Sequence, residues 1–440
     1  MNLKHILISP GSSEEKDYCK KYSIELRRLK NGITIIGMPC RMDNTAFAEI
    51  EWQFPIGAYS NPPGQVHFFE HFINKKIRSL AEQNDVHLRA STSQTELNES
   101  IKGTANPNST DYGIWQILPF IRKSLENPLP ENEKDIENEK KVVADEIRRY
   151  DRDHDFLVGK HFREKIYAKE NPYRNEPAVT GTKEDLEKIK LSSLKKLAKK
   201  VLIPDGLLIN IYTEGGAQNT KMLSDKVESL FEDFPREDKK HLKQDLKIRE
   251  KMNPDFKSGQ ISISDTHLNN GQVTTQFAWI FEREFPTVSY FSLKDLSILL
   301  DLTLHEYSRK VGWGYYTASY IVTPGDNKSI FVLRVDTGEQ SDPKKFAEGI
   351  LKEILKNVIP IKKERLKLAN EIEIRRQKAV PLNNRDRLSW VFDGIKDHGQ
   401  IIDAGKIREI RTKVGFKDLQ DWIDILLSVP PAILITGNLS

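Results

Sequence analysis

Cysteine is almost absent from this chain, which has only Cys19 and Cys40 among its 440 residues. Neither residue belongs to a C-x-x-C pair or to another metal-binding spacing. The scarcity excludes a disulfide framework and favours a protein of a reducing compartment.

Long apolar runs are absent as well, and no run reaches the roughly 18 residues that a membrane span requires. Residues 1–17 include a short apolar patch at 6–8. They lack the apolar core and small-residue cleavage site of a secretory signal, and also the arginine-rich, acid-poor character of a transit peptide. We therefore expect a cytoplasmic protein that does not act in a membrane.

A strong excess of one charge is also missing. The 68 basic and 64 acidic side chains leave a net charge of +4, which is too balanced to favour binding of nucleic acid or an anionic membrane. With 30% charged and 38% hydrophobic residues, the composition is that of a globular protein, long enough for two or more domains. No glycine-rich loop suited to phosphate is present, so nucleotide dependence is not indicated.

What the chain does contain is a predicted helix at residues 64–80, called the motif helix below. Turn residues at 62–64 predict its start, and large apolar residues then recur at helical spacing. On this helix His71 lies about 40° round the axis from His67, and Glu70 lies about 60° to the other side. Two imidazoles and one carboxylate therefore share one face.

This arrangement suits a catalytic zinc ion. Two neutral imidazoles one turn apart can bind a tetrahedral ion and leave positions for a third protein ligand and a water. Glu70 is too close in sequence to be a comfortable ligand, but it can take a proton from that water. The alternative is a surface helix that carries two histidines by chance, so a third ligand is needed to decide.

The third ligand is expected in residues 131–155, where apolar residues at helical spacing predict a second amphipathic helix. Glu139 and Glu146 are seven residues apart, which places them about 20° out of line on one side of it. Other glutamates of this segment belong to a charged run that would be a solvated face in most proteins. Glu146 stands out because it lies within the apolar part at 142–147.

These two segments carry a resemblance to a known family. His67-x-x-Glu70-His71 is the inverted zinc motif. Residues 139–149 resemble the downstream element of the pitrilysin, insulysin and mitochondrial processing peptidase family, and Glu146 follows His71 by 75 positions.

The resemblance implies a role for each residue that matches the family pattern. It implies that the cofactor is Zn²⁺ and that its ligands are His67, His71 and Glu146. Glu70 would be the general base, and Glu139 would be a carboxylate that supports the site.

Sequence patterns predict a first domain of mixed strands and helices. Apolar alternation and an Asn-Gly hairpin signal predict three early strands, and a polar strand pair follows the motif helix. The predicted segments are strands at 24–26, 33–38, 46–54, 87–105 and 207–212 and helices at 111–129 and 183–201.

In similar peptidases the strand after the motif helix is an exposed edge that accepts the substrate as an added strand. An edge offers unpaired N–H and C=O groups, so it can bind an extended peptide largely independently of its sequence. The corresponding residues here are Arg89, Ala90, Ser91 and Thr92. Relatives usually have asparagine in place of Arg89, which either holds a substrate carbonyl or carboxylate or simply faces water.

The second half repeats the first in outline, without the metal motif. A strand at 277–281, a long helix at 289–310 and a strand at 431–437 echo segments of the first half in the same order. We therefore predict an α+β fold of two related domains, each a mainly antiparallel sheet with helices packed against it.

A charged segment separates the two predicted domains. Residues 236–257 are dense in charge and poor in large apolar residues, which is typical of a linker. The predicted zinc-binding domain is then 1–235, and the second domain is 258–440.

The second half is expected to contribute near Gly312. Family members often have an arginine and a tyrosine flanking such a glycine, and these hold the substrate. The tyrosine position is Tyr315, but the arginine position is Ser308, one residue from Arg309. The alternative is that Tyr315 and its aromatic neighbours are packing residues of a strand. If Arg309 cannot reach the site, a partner chain would supply the pair.

The function expected from the sequence is a zinc-dependent endopeptidase that cleaves peptides or unfolded segments. Similar proteins enclose the site between two halves of a clamshell formed by two chains of this length, so we expect a homodimer or a heterodimer with a related chain. Two alternatives remain open: a substrate-capturing subunit without full activity, and a metal that serves folding only.

Overall fold

A computed structural model describes most of the chain. The residues that it describes are 6–39, 47–55, 63–73, 75–93, 96–169, 174, 177–202, 204–234, 253, 255–266, 271–281, 287–314, 316–325, 328–379 and 384–438.

Six strands of the first half form one sheet. A short strand β1 (Leu7–Ile8) precedes them, and the six are β2 (Glu25–Arg28), β3 (Thr34–Pro39), β4 (Phe47–Pro55), β5 (His87–Thr92), β6 (Glu96–Thr104) and β7 (Leu208–Thr213). Their order is β2-β3-β7-β4-β6-β5, with only the β3–β7 pair parallel. Alternation sends Trp52 and Phe54 of β4 into the core, while Gln53 lies on the other face.

Ten helices of the described residues belong to the first half. They are α1 (Ser13–Tyr22), α2 (Gln65–Ile73), α3 (Arg78–Gln83), α4 (Ile114–Glu126), α5 (Glu133–Tyr150), α6 (His154–Ile166), α7 (Pro177–Thr180), α8 (Lys183–Lys188), α9 (Leu191–Val201) and α10 (Gly216–Phe231). The side chain of Asn132 caps α5 by accepting from the N–H of Asp135, and acidic residues in the first turn and basic residues in the last complement its dipole.

The second half is built in a similar way. Its five-stranded sheet has the order β10-β11-β9-β13-β8, and only the β13–β8 pair is parallel. The strands of this sheet are β8 (Ile261–Asp265), β9 (Val273–Phe281), β10 (Tyr316–Gly325), β11 (Lys328–Thr337) and β13 (Ala432–Gly437). The short strand β12 (Ile401–Ile402) pairs instead with β1. The helices are α11 (Thr287–Val311), α12 (Pro343–Glu353) with a π-helical turn at Ile354–Val358, α13 (Lys363–Ala379), α14 (Asn384–His398), α15 (Ala404–Arg411) and α16 (Phe416–Ser428).

One helix of each half packs against the sheet of the other half. Helix α6 of the first half buries Phe162 and Ile166 against Ile280 and Leu434 of the second sheet. Helix α14 of the second half packs Leu388, Val391 and Ile395 against apolar residues of β3 and β7. The core faces of both sheets are covered by their own helices.

The predicted fold class is confirmed: the chain is α+β, with two mainly antiparallel sheets flanked by helices. The early strands lie within two residues of their predicted bounds. The boundaries at 235 and 258 remain predictions, because the linker prediction falls largely outside the described residues.

Several helices end where periodicity alone would continue them. The motif helix is divided into α2 and α3, and the helix predicted at 183–201 is divided by extended backbone at Ile189 and Lys190. Helix α10 was not predicted. In the described residues, no helix has both the length and the apolar character needed to span a membrane.

Polar contacts also join α6 to the second sheet, and one of them makes stability depend on pH. His161 is 4% exposed, and its ring nitrogens lie 2.7 Å from the hydroxyl of Thr436 and 2.9 Å from that of Ser262. Burial lowers the pKa of His161 to about 4, whereas an unfolded histidine titrates near about 6.5. The unfolded chain therefore takes up this proton first, and stability is lost as the pH falls from about 6.5 towards 4.

We expect His161→Asn to reduce the pH dependence of unfolding. Between pH 7 and pH 5 the wild-type free energy of unfolding should fall by about 2 kcal/mol more than that of the variant. Urea titrations at the two pH values measure this difference. Equal losses in the two proteins would contradict the assignment, and His305→Asn is a control on another helix.

Candidate active site

The candidate site lies where α2 packs against α5. His67 on α2 is only 7% exposed, and His71 is half-buried one turn later. Glu146 of α5 points at both rings: its Oε2 is 3.6 Å from Nε2 of His67 and 3.5 Å from Nε2 of His71. Two helices separated by residues 74–132 of the chain thus bring three ligand-type side chains together.

The spacing of these atoms fits a zinc ion. Tetrahedral ligands at the usual Zn–N and Zn–O lengths of about 2.0–2.1 Å lie roughly 3.3–3.4 Å from one another. Both Nε2-to-Oε2 distances are close to that value, and the three ligand atoms lie within 4.8 Å of one another. The residues present therefore fit a metal held by two histidines and one glutamate.

Glu139 orients one of the two imidazoles. Its Oε1 lies 2.8 Å from Nδ1 of His71, and its Oε2 accepts a hydrogen bond from Nζ of Lys75 at 2.9 Å. A histidine whose Nδ1–H is held by a carboxylate presents its Nε2 lone pair to a metal. Glu139 is 8% exposed, so this contact with His71 is largely shielded from water.

Burial and charge set the protonation of the site. Burial lowers the pKa of His67 to about 4, so its ring is neutral at pH 7. Burial also acts on His71, but hydrogen bonds to Glu139 and Glu146 outweigh it and raise that pKa to about 9. The same bonds lower the pKa values of the two glutamates to about 2. A cation that replaces the His71 proton would therefore meet two ionised carboxylates.

Glu70 lies beside the ligand set and is held by the edge strand. The hydroxyl of Thr92 donates a hydrogen bond to Oε2 of Glu70 at 2.6 Å. Burial raises the pKa of Glu70, and the bond from Thr92 opposes this by stabilising the carboxylate. A carboxylate with a raised pKa next to the ligand set is suited to accept and return a proton.

Two glycines fix the start of α2. Gly64 and Gly181 have positive φ values of 76° and 74°, and a Cβ on Gly64 would lie 2.4 Å from the carbonyl oxygen of Thr180. Only glycine permits this combination of backbone conformation and close approach. The loop at residues 180–181 therefore packs directly on the turn that leads into His67.

The predicted substrate strand is the edge strand β5. Ala90 and Thr92 face inwards and are half-buried, whereas Arg89 and Ser91 are exposed on the other face. In the described part of the first sheet, β5 pairs only with β6, so its outer edge is open. Thr92 therefore contacts Glu70 through its side chain, and its backbone belongs to the strand whose outer edge has no partner strand among the described residues.

The second-half residues singled out from the sequence lie at the end of α11 and just after it. Arg309 is exposed near the end of α11, and Ser308 is buried. Trp313, which lies outside the strands, packs edge-to-face on Tyr307 at a ring distance of 5.1 Å, and Tyr316 at the start of β10 is 48% exposed. Tyr315 lies outside the described residues.

Two contacts at the site escaped sequence reasoning. Lys75 holds Glu139, and the hydroxyl of Tyr150 donates to Oε1 of Glu146 at 3.1 Å. Lys75 lies in the turn after the end of α2, whereas Tyr150 lies four positions after Glu146 on α5, a spacing that places two side chains on one face. This four-residue spacing is the sequence signal that could have predicted the contact between Tyr150 and Glu146.

Comparisons with known proteins show which solved structures have a similar fold. No protein-family model matches the sequence, and no curated protein does. A crystal structure of a protease from Helicobacter pylori matches with a TM-score of 0.69 and 16% identity, over 94% of this chain and 99% of that one. The first half of the periplasmic protease PqqL from Escherichia coli gives a TM-score of 0.70 and 12% identity, over 94% and 92% of the two chains.

A third match is to a domain that is described as inactive. The peptidase M16 inactive domain from Pseudomonas fluorescens matches with a TM-score of 0.64 and 14% identity, over 94% and 97% of the two chains. Fold likeness at this identity is therefore compatible with active and inactive proteins, and activity has to be argued from the site itself. The chain has the two-sheet α+β fold that these proteases share with an inactive M16 domain.

Proposed function

We propose that this chain is a zinc-dependent endopeptidase. The observation that carries the proposal is the convergence of His67, His71 and Glu146 at distances that suit tetrahedral zinc, with Glu70 beside them. A zinc ion bound there would polarise the scissile carbonyl and lower the pKa of an attacking water.

Side chains of this protein would carry out the proton transfer and hold the reacting groups in position. Glu70 accepts the proton of the water and later delivers it to the leaving amine. Thr92 keeps the carboxylate of Glu70 in place by its hydrogen bond. Glu139 holds Nδ1 of His71, which fixes the direction of the ligand nitrogen.

The open edge of β5 is the proposed binding place for the substrate. An extended peptide can add there as a further strand through backbone hydrogen bonds, which require no particular side chain. This mode suits peptides and unfolded segments. A folded protein rarely offers a free strand.

We also propose that two chains pair to form the working enzyme. Full-length PqqL matches this chain over only 48% of its length, and its first half matches over nearly all of its own length. A second chain would take the place of the other half of PqqL, and it would supply an arginine and a tyrosine to the site if Arg309 and Tyr315 of the first chain cannot reach it. Native mass measurement tests whether the partner is a second copy. The cytoplasmic location remains a prediction from the sequence.

The function is tested by cleavage of a quenched peptide library with the purified zinc-loaded chain. We expect cleavage that 1,10-phenanthroline abolishes and that added Zn²⁺ restores. Zinc binding without cleavage would instead support a substrate-capturing subunit, a possibility that the inactive M16 domain among the matches keeps in view. Loss of the folded state on chelation, followed by circular dichroism, would indicate a structural metal.

A further inference from the structure

The outer face of the edge strand β5 carries an arginine that the proposed chemistry does not use. Because side chains alternate along a strand, Arg89 points away from Thr92 and hence away from Glu70. Arg89 is exposed, and it lies at the open edge where a peptide would add.

The strand register gives the charged residues that surround this guanidinium. Ser100 lies opposite Arg89 on β6, and Lys102 lies one pair further along the same face. The acidic residues of that face in neighbouring strands are Glu51 and Glu49 of β4, which are opposite Ser100 and Lys102, and Glu96 of β6. The two residues of β4 are two strands away from β5, and Glu96 lies four positions along β6 from Ser100 and pairs with Lys396. Among the residues that the structure describes, no carboxylate lies within ion-pairing distance of Arg89.

A peptide strand on the open side would lie closer to Arg89 than β4 does. Adjacent strands are about 4.8 Å apart, and side chains directly opposite one another have Cβ atoms roughly 4.5–5.5 Å apart. One peptide residue, with its side chain on the outer face, would therefore stand directly beside Arg89. Opposite charges in such cross-strand pairs are stabilising, and like charges are destabilising.

We propose that Arg89 selects peptides that carry an acidic side chain at the strand position opposite Arg89. The inference rests on the proposed function, because it assumes that β5 is the substrate strand. It makes the substrate preference depend on the one residue at which this chain departs from the asparagine of similar peptidases.

The test uses capped decapeptides, acetylated and amidated so that no terminal carboxylate competes. A single Asp, Asn or Lys is moved through the positions around one cleavage site, and kcat/KM is measured with wild type, Arg89→Asn and Arg89→Glu. At one position we expect wild type to prefer Asp over Lys by about fivefold. Arg89→Asn should remove the preference, and Arg89→Glu should reverse it. In 0.5 M NaCl the preference should shrink, because exposed ion pairs are screened.

Arg375→Glu is the matched control, since it makes the same charge change on an exposed side chain of the second half. It should leave the wild-type preference intact. Peptide binding by anisotropy, measured with a Glu70→Gln protein that still carries Arg89, repeats the comparison without catalysis. A preference for Asp that persists in Arg89→Glu, or equal binding of the Asp and Lys peptides at every position, would overturn the proposal. Failure to cleave the Asn peptides, with the charge preference present in binding, would overturn the proposed activity alone.

Discussion

Replacing Glu70 by glutamine is expected to lower kcat/KM for peptide cleavage by about 10³-fold, because the amide cannot accept the proton of the attacking water. The substitution keeps the size of the side chain and its contact with Thr92. Zinc content and the free energy of unfolding should stay close to wild type. Peptide cleavage assays, metal analysis of the purified protein and urea titrations measure the three quantities.

A matched control separates the loss of the base from a loss of charge. Glu137 lies on the exposed side of α5, where its carboxylate pairs with Lys140 at 2.8 Å. Glu137→Gln should leave cleavage unchanged. If Glu70→Gln retains more than a tenth of the wild-type rate, Glu70 is not the base and the proposed mechanism is wrong.

The second large effect is expected on zinc affinity. Structural zinc sites bind with about 10–16 kcal/mol, so each of four ligands contributes roughly 3–4 kcal/mol. Glu146→Gln removes one charged ligand and should weaken zinc binding by about 10²–10³-fold. Glu139→Gln removes only the support of His71, for which a loss of about 10–100-fold is typical. Competition with a fluorescent chelator gives the dissociation constants.

The order of these effects tests the assignment of ligands. Glu139 and Glu146 lie on one face of α5, and either could have been the ligand on sequence grounds. Oε2 of Glu146 is near both Nε2 atoms, whereas Glu139 contacts Nδ1 of His71. A larger loss for Glu139→Gln than for Glu146→Gln would show that the two roles have been exchanged.

Helical geometry explains what the sequence could predict about the candidate ligands. His67 and His71 are one turn apart, which places them on one face of α2, and the seven-residue spacing of Glu139 and Glu146 places both on one side of α5. The contact between the two helices is a tertiary feature, which the family resemblance supplied. The link from Thr92 to Glu70 joins a strand to a helix, and periodicity holds no information about it.

Other features could not be read from the sequence for physical reasons. The periodicity of α6 and α14 shows that each helix has an apolar face, but it does not show which sheet that face packs against. The exchange of these helices between the halves could therefore not be predicted from the sequence. Helix α10 begins at Gly215 without a side-chain cap, and its starting signal was weak. The interruption at Ile189 and Lys190 occurs within a continuous apolar pattern.

The exchanged helices determine how the protein can be divided. A fragment cut within residues 236–257 would carry α6 with Phe162 and Ile166 bare, and β3 would lose the cover of α14. Uncovered apolar faces of this kind promote aggregation. Each sheet thus requires a helix from the other half, and neither half has a complete apolar core when it is separated from the other.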